Sequence, residues 1–282
     1  MSAATETPAS LAAAARGIVA ACEPAEKTAR ARAAAAAWRE GRLSLARPTL
    51  DPPAPDRPGR PERPVLLAPR DMPKRSLPNR GEASDRGRIG LLHALAHIEL
   101  NAVDLAWDIV GRFAHLPMPR AFHDDWVRVG TEEATHFTLI SERLQRLGAA
   151  YGDLPAHDGL WQAAQETGHD LAARLAIVPL VLEARGLDVT PPMIERAKET
   201  GDDDTAAILE IIYRDEKGHV AIGAKWFRFI CDRDGLVPEP TFHTLVRRHF
   251  RGGLKPPFND RARSEAGLTP GFYRPLAVVT RG

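Results

Sequence analysis

The sequence predicts an all-α protein, a four-helix bundle with one long crossover, and three observations carry that prediction. Apolar residues recur at three- and four-residue spacing through four long stretches that begin near Asp85, Pro119, Gly159 and Asp202, the period of a helix with one buried face. Each stretch places a glutamate on that face, and in two of them a histidine follows three positions later. The spacing then repeats: Glu99 to Glu133 is 34 positions and Glu183 to Glu216 is 33. The chain therefore reads as a helix with Glu, a helix with Glu-x-x-His, and the same again.

Composition bounds the alternatives. At 282 residues, 44% hydrophobic and 27% charged, the chain is long enough for one substantial helical domain with appendages. Lys plus Arg number 38 against 37 Asp plus Glu, a net charge of +1, so charge balance gives no reason to expect nucleic acid or an anionic membrane as partner. Cys22 and Cys231 are far apart and lack metal-motif spacing, which favours a reduced cytoplasmic protein over a disulfide-built secreted one. Glu6 and the lack of a basic region ahead of an apolar core argue against a secretory leader. No transmembrane helix is expected, since no run of about 18 apolar residues is evident.

Four segments follow: an Ala/Arg-rich helical segment over 1–45, a proline-rich connector over 46–84, the bundle over 85–270 and a tail over 271–282. Ser10 is placed to cap a helix through Ala21, and after Pro24 a second helix is expected from Glu26 to Arg42, the two forming a hairpin against the bundle. Arg30, Arg32 and Arg39 make an arm that binds RNA or another acidic partner the rival reading. Pro48 to Pro78 holds ten of the 24 prolines, so an extended strap is expected there, anchored by Val65-Leu66-Leu67-Ala68.

The first bundle helix should run from Asp85 to about His115. His93 and His97 read as helix-surface or supporting histidines, and Asn101, Asp104 and Asp108 as a wetter side or as polar contacts between helices. The second should run from about Pro119 to Leu147 and stop at Gly148. The third is expected from Gly159 to Arg185, bent at Pro179, and Gly186 to Pro191 should end it, with a short helix from Thr190 to Gly201. Asp202-Asp203-Asp204 then caps the fourth helix. Another amphipathic segment is expected from Phe242 to Phe250, and Lys255 to Asn259 as irregular chain over the bundle.

The chemistry follows from the repeated pattern. An ionised glutamate in an apolar stripe must be paired, protonated or bound to a metal. A glutamate from each of two helices and a Glu-x-x-His from each of the other two make a dinuclear carboxylate site. Glu99, Glu133, His136, Glu183, Glu216 and His219 are the expected ligands. Glu132 and Asp215, each four residues before a ligand histidine, are placed to accept from its second ring nitrogen. Tyr213, one turn before Glu216, is a candidate electron relay or a core tyrosine bonded to a carboxylate. Arg185 is a candidate for binding an acidic substrate group or for pairing with a carboxylate. Gly130 and Gly223 mark either substrate room beside the metals or close helix packing.

At Glu99, Glu133-x-x-His136, Glu183 and Glu216-x-x-His219 the pattern resembles the ferritin-like di-iron carboxylate superfamily. More closely, His93-Ala94-Leu95-Ala96-His97-Ile98-Glu99-Leu100-Asn101, Pro155 to Trp161 and Leu182 to Asp188 resemble a bacterial ferritin-like family labelled a domain of unknown function, over roughly residues 60 to 270. The resemblance implies a ferritin-like bundle and two iron ions, with manganese or a mixed pair as alternatives, and dioxygen as co-substrate. A more distant similarity, to the di-iron tRNA isopentenyladenosine hydroxylase, admits RNA as a substrate class and nothing more. The expected activity is an oxygen-dependent oxidoreductase, an oxidase or hydroxylase, acting on a small molecule with an electron donor, as a monomer or dimer rather than a cage. The rivals are a non-catalytic iron-handling protein and an interaction scaffold with a structural metal.

Overall fold

A computed structural model describes residues 10–45, 53–68, 71–72 and 85–278. The remaining parts of the expected connector and of the two chain ends lie outside the described residues. The protein is all-α, with two two-residue strands as the only sheet among the described residues. Two compact units divide it: Met1–Pro73 with Ile89–His157, and Lys74–Arg88 with Asp158–Gly282. One boundary therefore falls at residue 157, inside the stretch expected as a single bundle.

In the first unit, α1 (Leu11–Ala20) starts where expected, its Ser10 side chain accepting from the Ala13 amide at 3.2 Å. α2 (Pro24–Arg39) opens on a proline at its first position, where no intrahelical donor is lost. The two form a hairpin through small alanines, and α2 lies along α4 (Arg120–Arg146). There Arg32 donates to Thr138 Oγ1 at 2.6 Å and Trp38 Nε1 to Asp124 at 2.8 Å. Of the other arginines of α2, Arg30 pairs with Glu26, and Arg39 donates to the Ala35 carbonyl.

The connector is a strap over this unit. Arg112 of α3 (Asp85–Arg112) donates to the Pro55 carbonyl at 2.7 Å, and the Gly59 amide donates to the Val19 carbonyl at 2.8 Å. A Cβ on Gly59 would stand 2.2 Å from the Ala20 carbonyl oxygen, so only glycine lets the strap come this near the end of α1. β1 (Leu66–Leu67) then pairs in parallel with β2 (Ala156–His157).

α3 takes the second of the two readings expected for its polar residues. Asn101, Asp104 and Asp108 are buried, so they serve as polar contacts and no wet side exists at these positions. Asp104 is met by Lys27 of α2 at 2.5 Å and by Arg60 of the strap, which also donates to Asn101 at 2.7 Å. α3 also contains an 18-residue window of mean hydropathy 1.2, long and apolar enough by composition to cross a membrane. With 72% of that window buried inside the protein, the apolar surface is accounted for by packing.

His93 and His97 are buried rather than on the surface. His93 Nε2 accepts from the amides of Gly152 and Leu154 at 3.0 and 3.3 Å. A carbonyl only accepts, so His97 Nε2 donates to that of His157 at 2.9 Å, and Nδ1 accepts from the Tyr151 hydroxyl at 2.9 Å. Together they tie the chain between α4 and β2 to α3. Burial holds the His97 imidazole down to about 4, only partly offset by its bond to the His157 carbonyl. The unfolded chain therefore binds the extra proton first as pH falls. Folding stability is expected to drop by about 3 kcal/mol between roughly pH 6.5 and pH 4 and then level off. Urea titrations across that window would show the slope, and His97→Gln should flatten it.

In the second unit the expected third helix is broken. α5 (Gly159–Glu166) stops at Thr167, and Asp170 starts α6 (Leu171–Ile177) by accepting from the Ala172 and Ala173 amides. Buried Arg174 spans the break, donating to Thr167 Oγ1 at 3.0 Å and to the Ala164 carbonyl at 2.7 Å. Val178–Glu183 is π-helical, and α7 (Ala184–Glu199) follows without interruption. The predicted stop at Gly186 to Pro191 is therefore wrong. Pro191 cannot donate to the Leu187 carbonyl, but Asn259 Nδ2 does so instead at 3.1 Å, and Arg263 holds Asp188 of the same turn through two nitrogens. The tail thus restores what proline removes.

α8 (Asp203–Arg233) begins at the expected acidic cap, Asp202 accepting from the Thr205 amide at 3.1 Å, and packs along α7. α9 (Pro238–His249), α10 (Asp260–Glu265) and α11 (Pro270–Tyr273) complete the unit. The irregular Lys255 to Asn259 stretch is bound to α7 by Arg185, which donates to the Lys255 and Pro257 carbonyls at 2.8 and 3.1 Å.

Candidate metal centre

Each compact unit contains three of the six expected ligands. In the first, Glu99 comes from α3 and Glu133 and His136 from α4. The three-residue spacing turns Glu133 and His136 to one face, among buried Trp126, Val129, Phe137 and Ile140. His136 is 0% exposed, Glu133 0% and Glu99 4%. His136 Nδ1 lies 3.2 Å from Glu99 Oε2 and 3.4 Å from Glu133 Oε2. Each of the three brings a ligand atom within 4.8 Å of the others. Burial alone would strip the imidazole of its proton, but the Glu133 and Glu99 carboxylates outweigh burial and raise it to about 11. A positive charge is thus strongly favoured at Nδ1, and a proton or a metal ion can supply it.

In the second unit the Glu-x-x-His pair of α8 is looser, and neither His219 nor Glu183 is among the residues whose ligand atoms gather within 4.8 Å. His219 is fully buried and Glu216 nearly so, with Nδ1 3.8 Å from Glu216 Oε2. Glu183, the last residue of the π-helical turn, is half-buried. Gly186, one turn further on, faces Glu216: a Cβ there would stand 3.9 Å from Glu216 Cγ. In both units the histidine turns Nδ1 towards its own glutamate, at 3.4 Å in the first and 3.8 Å in the second.

The other singled-out residues are placed as follows. Tyr213 accepts from the Asn259 side-chain amide at 3.1 Å, so its hydroxyl meets an amide rather than the expected carboxylate. Arg185 pairs with Asp188 and the two tail carbonyls, which is its carboxylate-pairing reading. Asp215 is half-buried and ion-paired with Arg214 at 2.9 Å, and Glu132 is half-buried on α4. Gly130 and Gly223 are sites of close packing and leave no substrate room. A Cβ on Gly130 would lie 2.5 Å from Trp107 Nε1, and one on Gly223 2.5 Å from Pro179 Cβ. Gly130→Ala is expected to cost about 1–3 kcal/mol through overpacking, seen as a lower denaturation midpoint with an unchanged slope.

These observations define an all-α protein with a buried carboxylate and imidazole cluster that can hold a metal ion. The chain belongs to the family described as "Protein of unknown function (DUF455)", which it matches over residues 20–274. A relative from Haemophilus influenzae (strain ATCC 51907 / DSM 11121 / KW20 / Rd), described as "Uncharacterized protein", is 45% identical over 214 residues, 74% of this chain and 73% of that one. No solved structure matches. The family match reaches back to residue 20, further than the expected start near residue 60. The fold supplies a reason, since Lys27 of α2 and Arg60 of the strap neutralise the buried Asp104 of α3.

Proposed function

We propose that this chain is a dinuclear-metal carboxylate protein acting as an oxygen-dependent oxidoreductase, with Glu99, Glu133, His136, Glu183, Glu216 and His219 as ligands and two iron ions as the metals. The supporting observation is the fully buried His136, whose Nδ1 is turned to two carboxylates. In the second unit His219 turns Nδ1 towards one carboxylate, that of Glu216, at 3.8 Å. A ferritin-like bundle is the arrangement this reading requires.

The donors fit the group. Imidazole nitrogen and carboxylate oxygen suit iron, manganese or a mixed pair, and the charge of a cation offsets the cost of burying the acids. When bound, the metal pair supplies reducing electrons and open positions for dioxygen. The chain's own residues do the rest. Glu133 and His136 would hold one metal and Glu216 and His219 the other, with Glu99 and Glu183 as the further carboxylate ligands. Glu132 and Asp215 orient the imidazoles by accepting from the other ring nitrogen. On α4, buried Trp126 and Phe137 flank Glu133 and His136 and keep water from them. A small-molecule substrate and an electron donor complete the reaction, carried out in the cytoplasm by a monomer or dimer.

Elemental analysis of anaerobically reconstituted protein, followed by optical spectra and oxygen uptake on exposure to air, tests the reading. Two irons per chain, an oxo-bridged diferric band and oxygen consumption are the expected results. Protein that binds metal, gains thermal stability and consumes no oxygen would instead be a scaffold with a structural metal.

A further inference from the structure

The stretch that delivers Glu183 leaves α-helical geometry just before that residue. Val178–Glu183 is a π-helical turn in which the Ala184 amide donates to the Pro179 carbonyl, five residues back. Such a turn takes in one residue more than an α-turn, so side chains beyond it are rotated by about 100° relative to those before. Given the direction set by α6, the wide turn decides which way Glu183 faces.

Two residues favour the wide turn. Pro179, at the start of the turn, has no N–H for the Leu175 carbonyl, so the α-helical bond is missing where the wider turn begins. Gly223 of α8 receives the proline ring. A Cβ at Gly223 would stand 2.5 and 2.6 Å from Pro179 Cβ and Cγ and 3.4 Å from Leu180 Cδ2, so a side chain there would push the turn away. Downstream, Glu183 and Gly186 share a helical face, and Gly186 lies against Glu216. The turn therefore aims Glu183 at the side of α8 that carries a candidate ligand.

We infer that Pro179, seated on Gly223, is a positioning residue that keeps residues 178–183 in a π turn and so sets Glu183 beside Glu216. The inference rests on the metal-binding reading above. π turns are rare and frequent at functional sites, so removing the cause of this one should separate stability from binding.

Pro179→Ala restores the missing N–H and allows α-helix through the stretch. It is expected to melt at or above the wild-type temperature while binding the second ferrous ion at least tenfold more weakly in anaerobic titration. Gly223→Ala should weaken the same ion and also lower the melting temperature. Gly218→Ala on the same helix, whose Cβ would meet nothing within 4 Å, should leave the affinity unchanged. Wild-type affinity for both ions in Pro179→Ala and Gly223→Ala would overturn the inference. So would a metal loss in Pro179→Ala matched by a fall in melting temperature, which would mark the ring as packing alone. A wild-type protein that binds no metal at all would overturn the underlying reading together with it.

Discussion

Protein carrying Glu133→Ala, loaded anaerobically with ferrous iron, is expected to hold at most one ion per chain where the wild type holds two, and His219→Ala the same. The two substitutions fall in different compact units, so a loss in both tests whether each half contributes to the proposed centre. Glu133 is 0% exposed and sits 3.4 Å from His136 Nδ1. Its removal takes away a ligand and also one of the two carboxylates that make a cation favourable there. The same proximity sets the pH dependence. In the metal-free protein the two acids raise His136 to about 11, so a metal must displace a proton at neutral pH. Apparent affinity should rise with pH by up to about tenfold per unit for that one proton. The metal-free fold should lose stability over the opposite range, from roughly pH 6.5 towards pH 11, because His136 stays protonated longer folded than unfolded. That window lies above the one in which His97 acts. Two ions retained by both variants would contradict the ligand assignment.

Lys27→Met is expected to cost about 3–5 kcal/mol, a large share of the stability of an ordinary domain. Lys27 is fully buried, and its ammonium donates to the Ile18 and Val19 carbonyls at 3.2 and 2.9 Å and to Asp104 at 2.5 Å. All three donors are used. Two of the acceptors lie in the last turn of α1, where a cation also opposes the helix dipole. Burial lowers the lysine's affinity for its proton and the Asp104 charge counters it. Methionine fills a similar volume but leaves the buried Asp104 with Arg60 alone. Chemical denaturation should show the loss as a lower midpoint. Lys27→Met combined with Asp104→Leu should recover part of it, since a buried acid no longer lacks its partner. A change below about 1 kcal/mol in the single variant would show that Arg60 suffices.

Much of the candidate site was legible because helical spacing is a local rule. Glu133 with His136, and Glu216 with His219, share a face wherever a helix forms, and the caps at Ser10 and Asp202 and the stop at Gly148, with its φ of 74°, follow from neighbouring residues. The misreadings share the opposite property. Pro191 reads as a helix end because the donor that replaces its N–H, Asn259, is 68 positions further along. Asp104 admits a wet side as well as a polar contact because Lys27 lies 77 positions away, and His93 a surface as well as a supporting place because the amides it accepts from lie about 60 positions on. Gly130 and Gly223 permitted two readings until Trp107 and Pro179 were found against them.

The amino-acid order alone determined the helical class, the shared face of each Glu-x-x-His pair, and the family to which the chain belongs. Those depend on period and identity, which adjacent residues carry. Only the tertiary structure decided that α7 runs through two prolines, that a π turn precedes Glu183, and that a lysine and an arginine neutralise a buried aspartate. A buried polar group is stable only with its partner in place, and each of these partners comes from a distant part of the chain.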